Sequence, residues 1–89
     1  MESENCNKKM GTLAATWRRS AGLSQIDLAD ILGTQQATIS KLENGMQKMT
    51  VENLLSILHA CGLTLQETAD EIEAAYDGGK TPLWERIDE

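Results

Sequence analysis

Residues 24–45 read SQIDLADILGTQQATISKLENG, and this stretch decides the fold of the chain. Ser24 is followed three residues later by Asp27, a spacing that resembles a capping box and predicts the start of a helix. The apolar positions that follow fall on one stripe, and Gly33 ends the helix because glycine tolerates the positive φ of such a helix end. The first half of the stretch therefore predicts one short amphipathic helix.

A second short helix is predicted directly after Gly33. Thr34 is expected to cap it, and it covers roughly residues 35–43. Ala29 is small enough for the two helices to cross closely, and Ile39 is expected to pack back on the first of them. The pair forms a helix-turn-helix, in which the N-terminal end of the second helix projects and can enter the major groove of DNA.

Helical spacing continues on both sides of this pair. Leu13 and Trp17 lie four apart and predict a preceding helix, with Trp17 in the core. Thr50 is expected to cap a following helix, and its apolar stripe consists of Leu54, Leu55, Leu58 and Cys61.

The segment after this stripe has two interpretations. Thr64 and Glu67 form a capping box that predicts a helix over residues 66–76. The alternation of apolar and polar residues also suits a short strand near residues 62–67, placed at a dimer interface.

The 89 residues are too few for two independent cores, so the chain is one domain with two tails. We expect a flexible polar leader over residues 1–9, a helix-turn-helix domain for DNA binding and dimerisation over residues 10–76, and an acidic tail over residues 77–89. The predicted fold is all-α, with four to five helices.

The net charge of −6 hides an asymmetry along the chain. Residues 8–48 carry a net charge of +3 and residues 49–89 one of −7, which is typical of a basic working surface beside an acidic region.

No apolar run is long enough to span a membrane, and two cysteines and one histidine make neither a disulfide framework nor a zinc site. We expect a cytoplasmic protein without a cofactor. It is not expected to be an enzyme, because no nucleophile lies beside a histidine and no glycine-rich phosphate loop is present.

The chain resembles the Cro and repressor type of helix-turn-helix proteins, the XRE class, over about residues 13–63. The positions that carry the resemblance are Leu13, Arg18, Gln25, Leu28-Ala29, Leu32-Gly33, Ile39-Ser40, Glu43, Gly45, Leu54-Leu55, Leu58 and Gly62-Leu63. Residues 36–40, followed by Glu43-Asn44, are especially similar to HipB-like antitoxins, which repress their own operon and bind a partner kinase. The resemblance implies a repressor that binds a palindromic operator as a homodimer, a HipA-like kinase toxin as partner, and an ion pair between Arg18 and Glu43.

Several side chains of the second helix suit contact with bases. Gln35 and Gln36 lie in its first turn, and a glutamine amide can pair bidentately with adenine in the major groove. Ser40 shares a face with Gln36 and can bond to either kind of base edge, and Ala37 is small enough to meet a thymine methyl group.

Four other residues are expected to contact phosphates: Gln25, Thr38, Lys41 and Arg19. Gln25 begins the first helix of the pair, where free N–H groups already favour an anion. Without the surrounding scaffold, two glutamines in a short helix would indicate only a solvated face.

The apolar residues of the tail have two interpretations. Trp84 either packs back on its own domain or anchors a partner, and we assign Trp84 and Leu83 to partner binding because aromatic side chains dominate interface energies. His59 is expected at the surface and Cys61 in the core.

Three classes of function remain to be weighed. A DNA-binding repressor is favoured because the first turn of the second helix is uncharged and Lys41 lies nearby. The alternatives are a stand-alone phage-type regulator without a toxin, and a helix-turn-helix interaction module that does not read DNA. The expected dimer surface is the fourth helix together with residues 62–76.

Overall fold

Five α-helices make up the part of the chain that the computed structural model describes, residues 2–77, with side chains described from residue 6 to residue 75. They are α1 (Glu2–Ser20), α2 (Gln25–Leu32), α3 (Gln36–Glu43), α4 (Val51–Ala60) and α5 (Leu65–Asp77). The described residues contain no strand, so the all-α prediction is confirmed and the strand alternative at residues 62–67 is wrong.

Local sequence explains where three of these helices begin. The hydroxyls of Ser24 and Thr50 each accept a hydrogen bond from the backbone N–H three residues ahead. The side chains at those positions, Asp27 and Asn53, in turn accept a hydrogen bond from the backbone N–H of Ser24 and Thr50, which completes a capping box in α2 and in α4. Thr64 and Glu67 exchange the same two bonds at α5. This reciprocal bonding fixes a helix start and explains why residues 65–67 do not form a strand.

The expected start of α1 and the expected cap of α3 are wrong. Residues 2–9, expected as a flexible leader, are helical and belong to α1. Thr34 does not cap α3, because the N-cap residue is Gln35 and its side chain makes no capping bond. The start of α3 has no capping side chain, and the helix is held instead by the burial of Ile39, Leu42 and Glu43.

The core lies where α2, α3 and α4 meet α1. Its four largest fully buried side chains are Leu28, Ile39, Ile57 and Leu58. Ala29 and Trp17 are buried as predicted. The predicted apolar stripe of α4 differs from the buried side of the helix: Ile57, which was not in the stripe, is buried, whereas Leu55, which was, is 44% exposed.

Glycine allows α1 to approach the end of α3 closely. A Cβ added at Gly11, on α1, would lie 2.5 Å from the backbone oxygen of Glu43 and would also meet the backbone oxygen of Leu42. At Gly45, in the turn after α3, an added Cβ would lie 2.8 Å from the Cα of Lys8. The N-terminal half of α1 therefore rests directly on the C-terminal end of α3.

The Trp17 indole N–H donates a 2.9 Å hydrogen bond to Glu71, which ties α1 to α5. None of the helices in the described residues is long and apolar enough to cross a membrane.

Candidate nucleic-acid interface

The exposed side of α3 carries most of the residues that the sequence assigned to DNA. Ile39, Leu42 and Glu43 are buried and define the inward side of this helix. At 100° per residue, Ala37 and Lys41 lie at the centre of the opposite side. Both are exposed, as are Gln35 and Gln36, whereas Ser40 and Thr38 are partly buried at the two edges.

The N-terminal end of α3 is open. Gln35 adopts an extended backbone (φ −102°, ψ 152°) without a side-chain capping bond, and the first turn contains no acidic residue. The first turns of α2, α4 and α5 each contain an acid. Because a helix N-terminus carries partial positive charge and unpaired N–H groups, the start of α3 favours an anionic polymer such as DNA.

Beneath α3 lies a buried ion pair. Arg18, in the last turn of α1, donates from Nε to Glu43 Oε2 at 2.7 Å and from Nη2 to Oε1 at 3.1 Å, and the two side chains are only 10% and 6% exposed. A third guanidinium bond, from Nη1, reaches the carbonyl of Leu23 at 2.9 Å. The hydrogen bond to Glu43 raises the pKa of Arg18. The pairing implied by the resemblance is therefore present in the structure.

A chain of hydrogen bonds extends this ion pair to the surface. Gln25 Nε2 donates to Glu43 Oε1 at 2.9 Å, and Gln36 Nε2 donates to Gln25 Oε1 at 2.7 Å. The guanidinium of Arg18 thus orients the carboxylate, the carboxylate orients the Gln25 amide, and that amide orients Gln36. One amide N–H of Gln25, one amide N–H of Gln36 and both acceptor lone pairs of Gln36 stay available to a ligand.

The link between Gln25 and Glu43 was not predicted from the sequence. The two residues are 18 positions apart, so no helical or turn pattern connects them. Gln25 was assigned to a phosphate, and the structure adds that its side chain is half-buried and bonded on both sides. Its role as the support of Gln36 could be seen only in the folded chain.

The remaining predicted residues are more scattered. Arg19 is exposed in the last turn of α1. The side chain of Ser40 accepts a weak 3.4 Å bond from Asn44. Lys48 is exposed in the loop after α3, and the sequence analysis did not single it out. The side chains of Leu83 and Trp84 lie outside the described residues.

Nothing in the described part of the chain resembles a metal centre, since no three His, Cys, Asp or Glu side chains come together there. Burial raises the pKa of the Cys61 thiol, which favours its neutral form.

Comparisons with known proteins show the family and the fold of the chain. The model of the helix-turn-helix family matches residues 15–68. Two crystal structures of the clp gene regulator ClgR from Corynebacterium glutamicum superpose with a TM-score of 0.70 each, at 22% identity. They cover 80% of this chain and 91% and 76% of the ClgR chains, which shows a shared fold. A search among curated proteins finds no match by sequence.

Proposed function

Because the chain belongs to the helix-turn-helix family, of the Cro and repressor class, we propose that it is a sequence-specific DNA-binding transcriptional repressor. The observation that carries the proposal is the hydrogen-bonded chain from Arg18 through Glu43 and Gln25 to Gln36. It holds an exposed amide at the open end of α3, and a fixed amide is what bidentate recognition of adenine needs.

The proposed mode of binding uses the outward side of α3. Its N-terminal end enters the major groove, where Gln36, with Gln35 and Ser40, contacts base edges, and Ala37 meets a thymine methyl group. Phosphates on the flanks are contacted by Gln25, Thr38, Lys41 and Arg19. A Gln36 amide that is already oriented loses less side-chain entropy when it binds, which favours the correct base.

The repressor is proposed to act as a homodimer on a palindromic operator. One such domain covers too little DNA for tight specific binding, so two recognition helices are needed, about 34 Å apart in successive major grooves. ClgR, whose structures share the fold, is described as a gene regulator, which is in keeping with this proposal.

Replacing Gln36 by alanine tests base reading. The operator is first selected from random duplexes with the unmodified protein, and titrations then compare the operator with a scrambled duplex. We expect Gln36→Ala to weaken operator binding by about 1–3 kcal/mol, with little change on the scrambled duplex.

The matched control is Gln66→Ala, which removes another exposed glutamine, on α5. It should bind both duplexes like the unmodified protein. Equal weakening by Gln36→Ala on the two duplexes would contradict base reading by this residue.

The finer proposal is that this repressor is an antitoxin that also binds a HipA-like kinase toxin. It is supported by the similarity of residues 36–44 to HipB-like antitoxins and by the aromatic Trp84 beside Leu83 in a short acidic tail. In this scheme α3 holds the operator and the tail holds the toxin, so the two activities are separable. The alternative is a stand-alone regulator with no toxin.

Deletion of residues 81–89 tests whether operator binding and toxin binding are separable. Operator affinity should stay within about threefold, because the proposed DNA contacts lie on α1, α2 and α3, whereas capture of a kinase encoded beside the gene should be lost. Gln36→Ala is the reciprocal control and should keep the kinase. A truncated protein that keeps the kinase and loses the operator would contradict the assignment of Trp84 and Leu83.

A further inference from the structure

One surface of the domain is apolar and has no partner within the described chain. Val51 and Leu55 lie one turn apart on α4 and are 72% and 44% exposed, and His59 continues the same row one turn later. Ile31 of α2 is 54% exposed and lines a shallow groove with Leu55 and His59. We call the surface formed by Ile31, Val51, Leu55 and His59 the α2/α4 face.

The charge of the chain limits what can cover this face. Along the whole of α4, Glu52 is the only acidic or strongly basic residue. The neighbouring helix α5 exposes Glu67, Asp70 and Glu73. On α2, Asp27 and Asp30 are exposed, so the least charged part of the face is α4. Two copies that each carry a net charge of −6 repel one another, and the repulsion is weaker where they meet through α4 than where they meet through α5.

We infer that the α2/α4 face is where a second copy of this chain docks, with the two α4 helices antiparallel about a two-fold axis near Leu55. The inference rests on the proposed function in so far as the operator needs a dimer. The expected dimer surface included both the fourth helix and residues 62–76. The inferred interface excludes the acidic outer side of α5, because a two-fold axis there would place like charges opposite each other.

The antiparallel arrangement also pairs Glu52, in the first turn of α4, with His59, in the last turn. With the axis next to Leu55, the first turn of one α4 lies opposite the last turn of the other, so Glu52 of each copy faces His59 of its partner. The imidazole donates a hydrogen bond to the carboxylate, and symmetry provides this pair twice. A parallel arrangement would instead place Glu52 opposite Glu52.

Covering this face leaves the DNA-reading side free. In the fold, α4 packs on α1 and α2, whereas the outward side of α3 is formed by other residues, with Ala37 and Lys41 at its centre. A dimer joined through the α2/α4 face therefore keeps both recognition helices accessible.

The test measures mass in solution without DNA, by sedimentation equilibrium of Leu55→Glu and Leu65→Glu. The two leucines are matched, at 44% and 49% exposed, but Leu65 lies outside the face at the start of α5. We expect the unmodified chain to have twice the 9.8 kDa of one copy, Leu65→Glu to behave like it, and Leu55→Glu to dissociate at least tenfold more readily. A Leu55→Glu protein as dimeric as the unmodified chain, or an unmodified chain that stays a monomer, overturns the inference.

Ile31→Glu is a second variant of the face, in case Leu55→Glu fails to fold, because Ile31 is more exposed than Leu55. It should dissociate like Leu55→Glu while keeping the melting temperature of a folded monomer. The register is tested by His59→Glu, which should dissociate the dimer, and by adding Glu52→Lys, which should restore it. Failure of that rescue overturns the antiparallel pairing.

Binding to a single operator half-site separates this inference from the proposed function. A monomeric Leu55→Glu protein that still prefers the half-site over scrambled DNA supports both. If no protein, including the unmodified chain, prefers the half-site over scrambled DNA, the proposed repressor function is contradicted. The mass measurement then still decides whether the α2/α4 face is the dimer interface.

Discussion

The helix proposed to read DNA, α3, differs from the three helices α2, α4 and α5 in how its N-terminal end is stabilised. Each of the three begins at a serine or threonine that forms a reciprocal capping box with a side chain three residues ahead. By contrast, α3 begins at Gln35 without a capping bond and without an acid in its first turn. Three of its eight residues are instead buried against the rest of the fold, and one of them is the charged Glu43.

The difference follows from what the two kinds of helix end must do. A capping box satisfies N–H groups and adds negative charge, which stabilises a helix but repels phosphate. Under the proposed function, the start of α3 meets DNA and therefore lacks that local stabilisation. The deficit is offset on α3 by the Arg18 ion pair and by close packing on α1.

The largest expected effect comes from removing the tertiary support of α3. Glu43→Ala leaves the Arg18 guanidinium buried without its carboxylate and should lower the free energy of unfolding by about 3–5 kcal/mol. Thermal and denaturant unfolding measure the loss. Glu73→Ala, an exposed carboxylate on α5, is the control and should stay within about 0.5 kcal/mol. A small loss for Glu43→Ala would show that α3 does not depend on the ion pair.

Close packing between α1 and α3 is tested at Gly11. Alanine is the better helix former by about 1 kcal/mol, so a free helix would gain stability from Gly11→Ala. Here the new Cβ would meet the backbone oxygens of Leu42 and Glu43, and we expect a net loss of about 1–3 kcal/mol in the free energy of unfolding. Thr12→Ala, on the exposed side of α1, is the control. A gain in stability at Gly11 would mean that α1 and α3 are not in close contact.

The capping contrast itself is tested by a pair of changes. Thr50→Ala removes a working cap from α4 and should cost about 1 kcal/mol in unfolding free energy. Gln35→Ser supplies α3 with a cap that it lacks and should gain about 0.5–1 kcal/mol. Urea unfolding of both variants gives the comparison. If Gln35→Ser loses stability, the start of α3 is held by contacts of Gln35 that a cap disrupts.

The smallest effect is the pH dependence of the cap on α2. Hydrogen bonds to Ser24, first from its backbone N–H, lower the pKa of Asp27. Because the folded-state pKa is the lower one, the stabilisation is present above the pKa of the unfolded chain and is lost as the pH falls through the folded value. The difference in melting temperature between the unmodified protein and Asp27→Asn should therefore be largest near neutral pH and should close in acid. A difference in melting temperature that is constant with pH would show that the charge of the Asp27 carboxylate does not stabilise α2.

Much of the fold could be predicted from the sequence because its signals are local. The caps at Ser24, Thr50 and Thr64, and the left-handed Gly33 at the end of α2, lie within one turn of the backbone groups that they satisfy. Such short-range bonding is fixed by spacing alone. The exposed residues of α3 were predicted for the same reason, since helical periodicity gives the face once the helix is known.

The sequence by itself determined the class of fold, four of the five helix starts within one or two residues, and the two exposed glutamines at the start of α3. Only the tertiary structure decided that α1 packs at Gly11 on the end of α3, that Ile57 rather than Leu55 is buried, and that Glu43 holds Gln25 and through it Gln36. The physical reason is distance along the chain. Capping and periodicity act over three or four residues, whereas close packing at Gly11 and the hydrogen bonds of Glu43 join segments 18 or more residues apart, which meet only when the core closes.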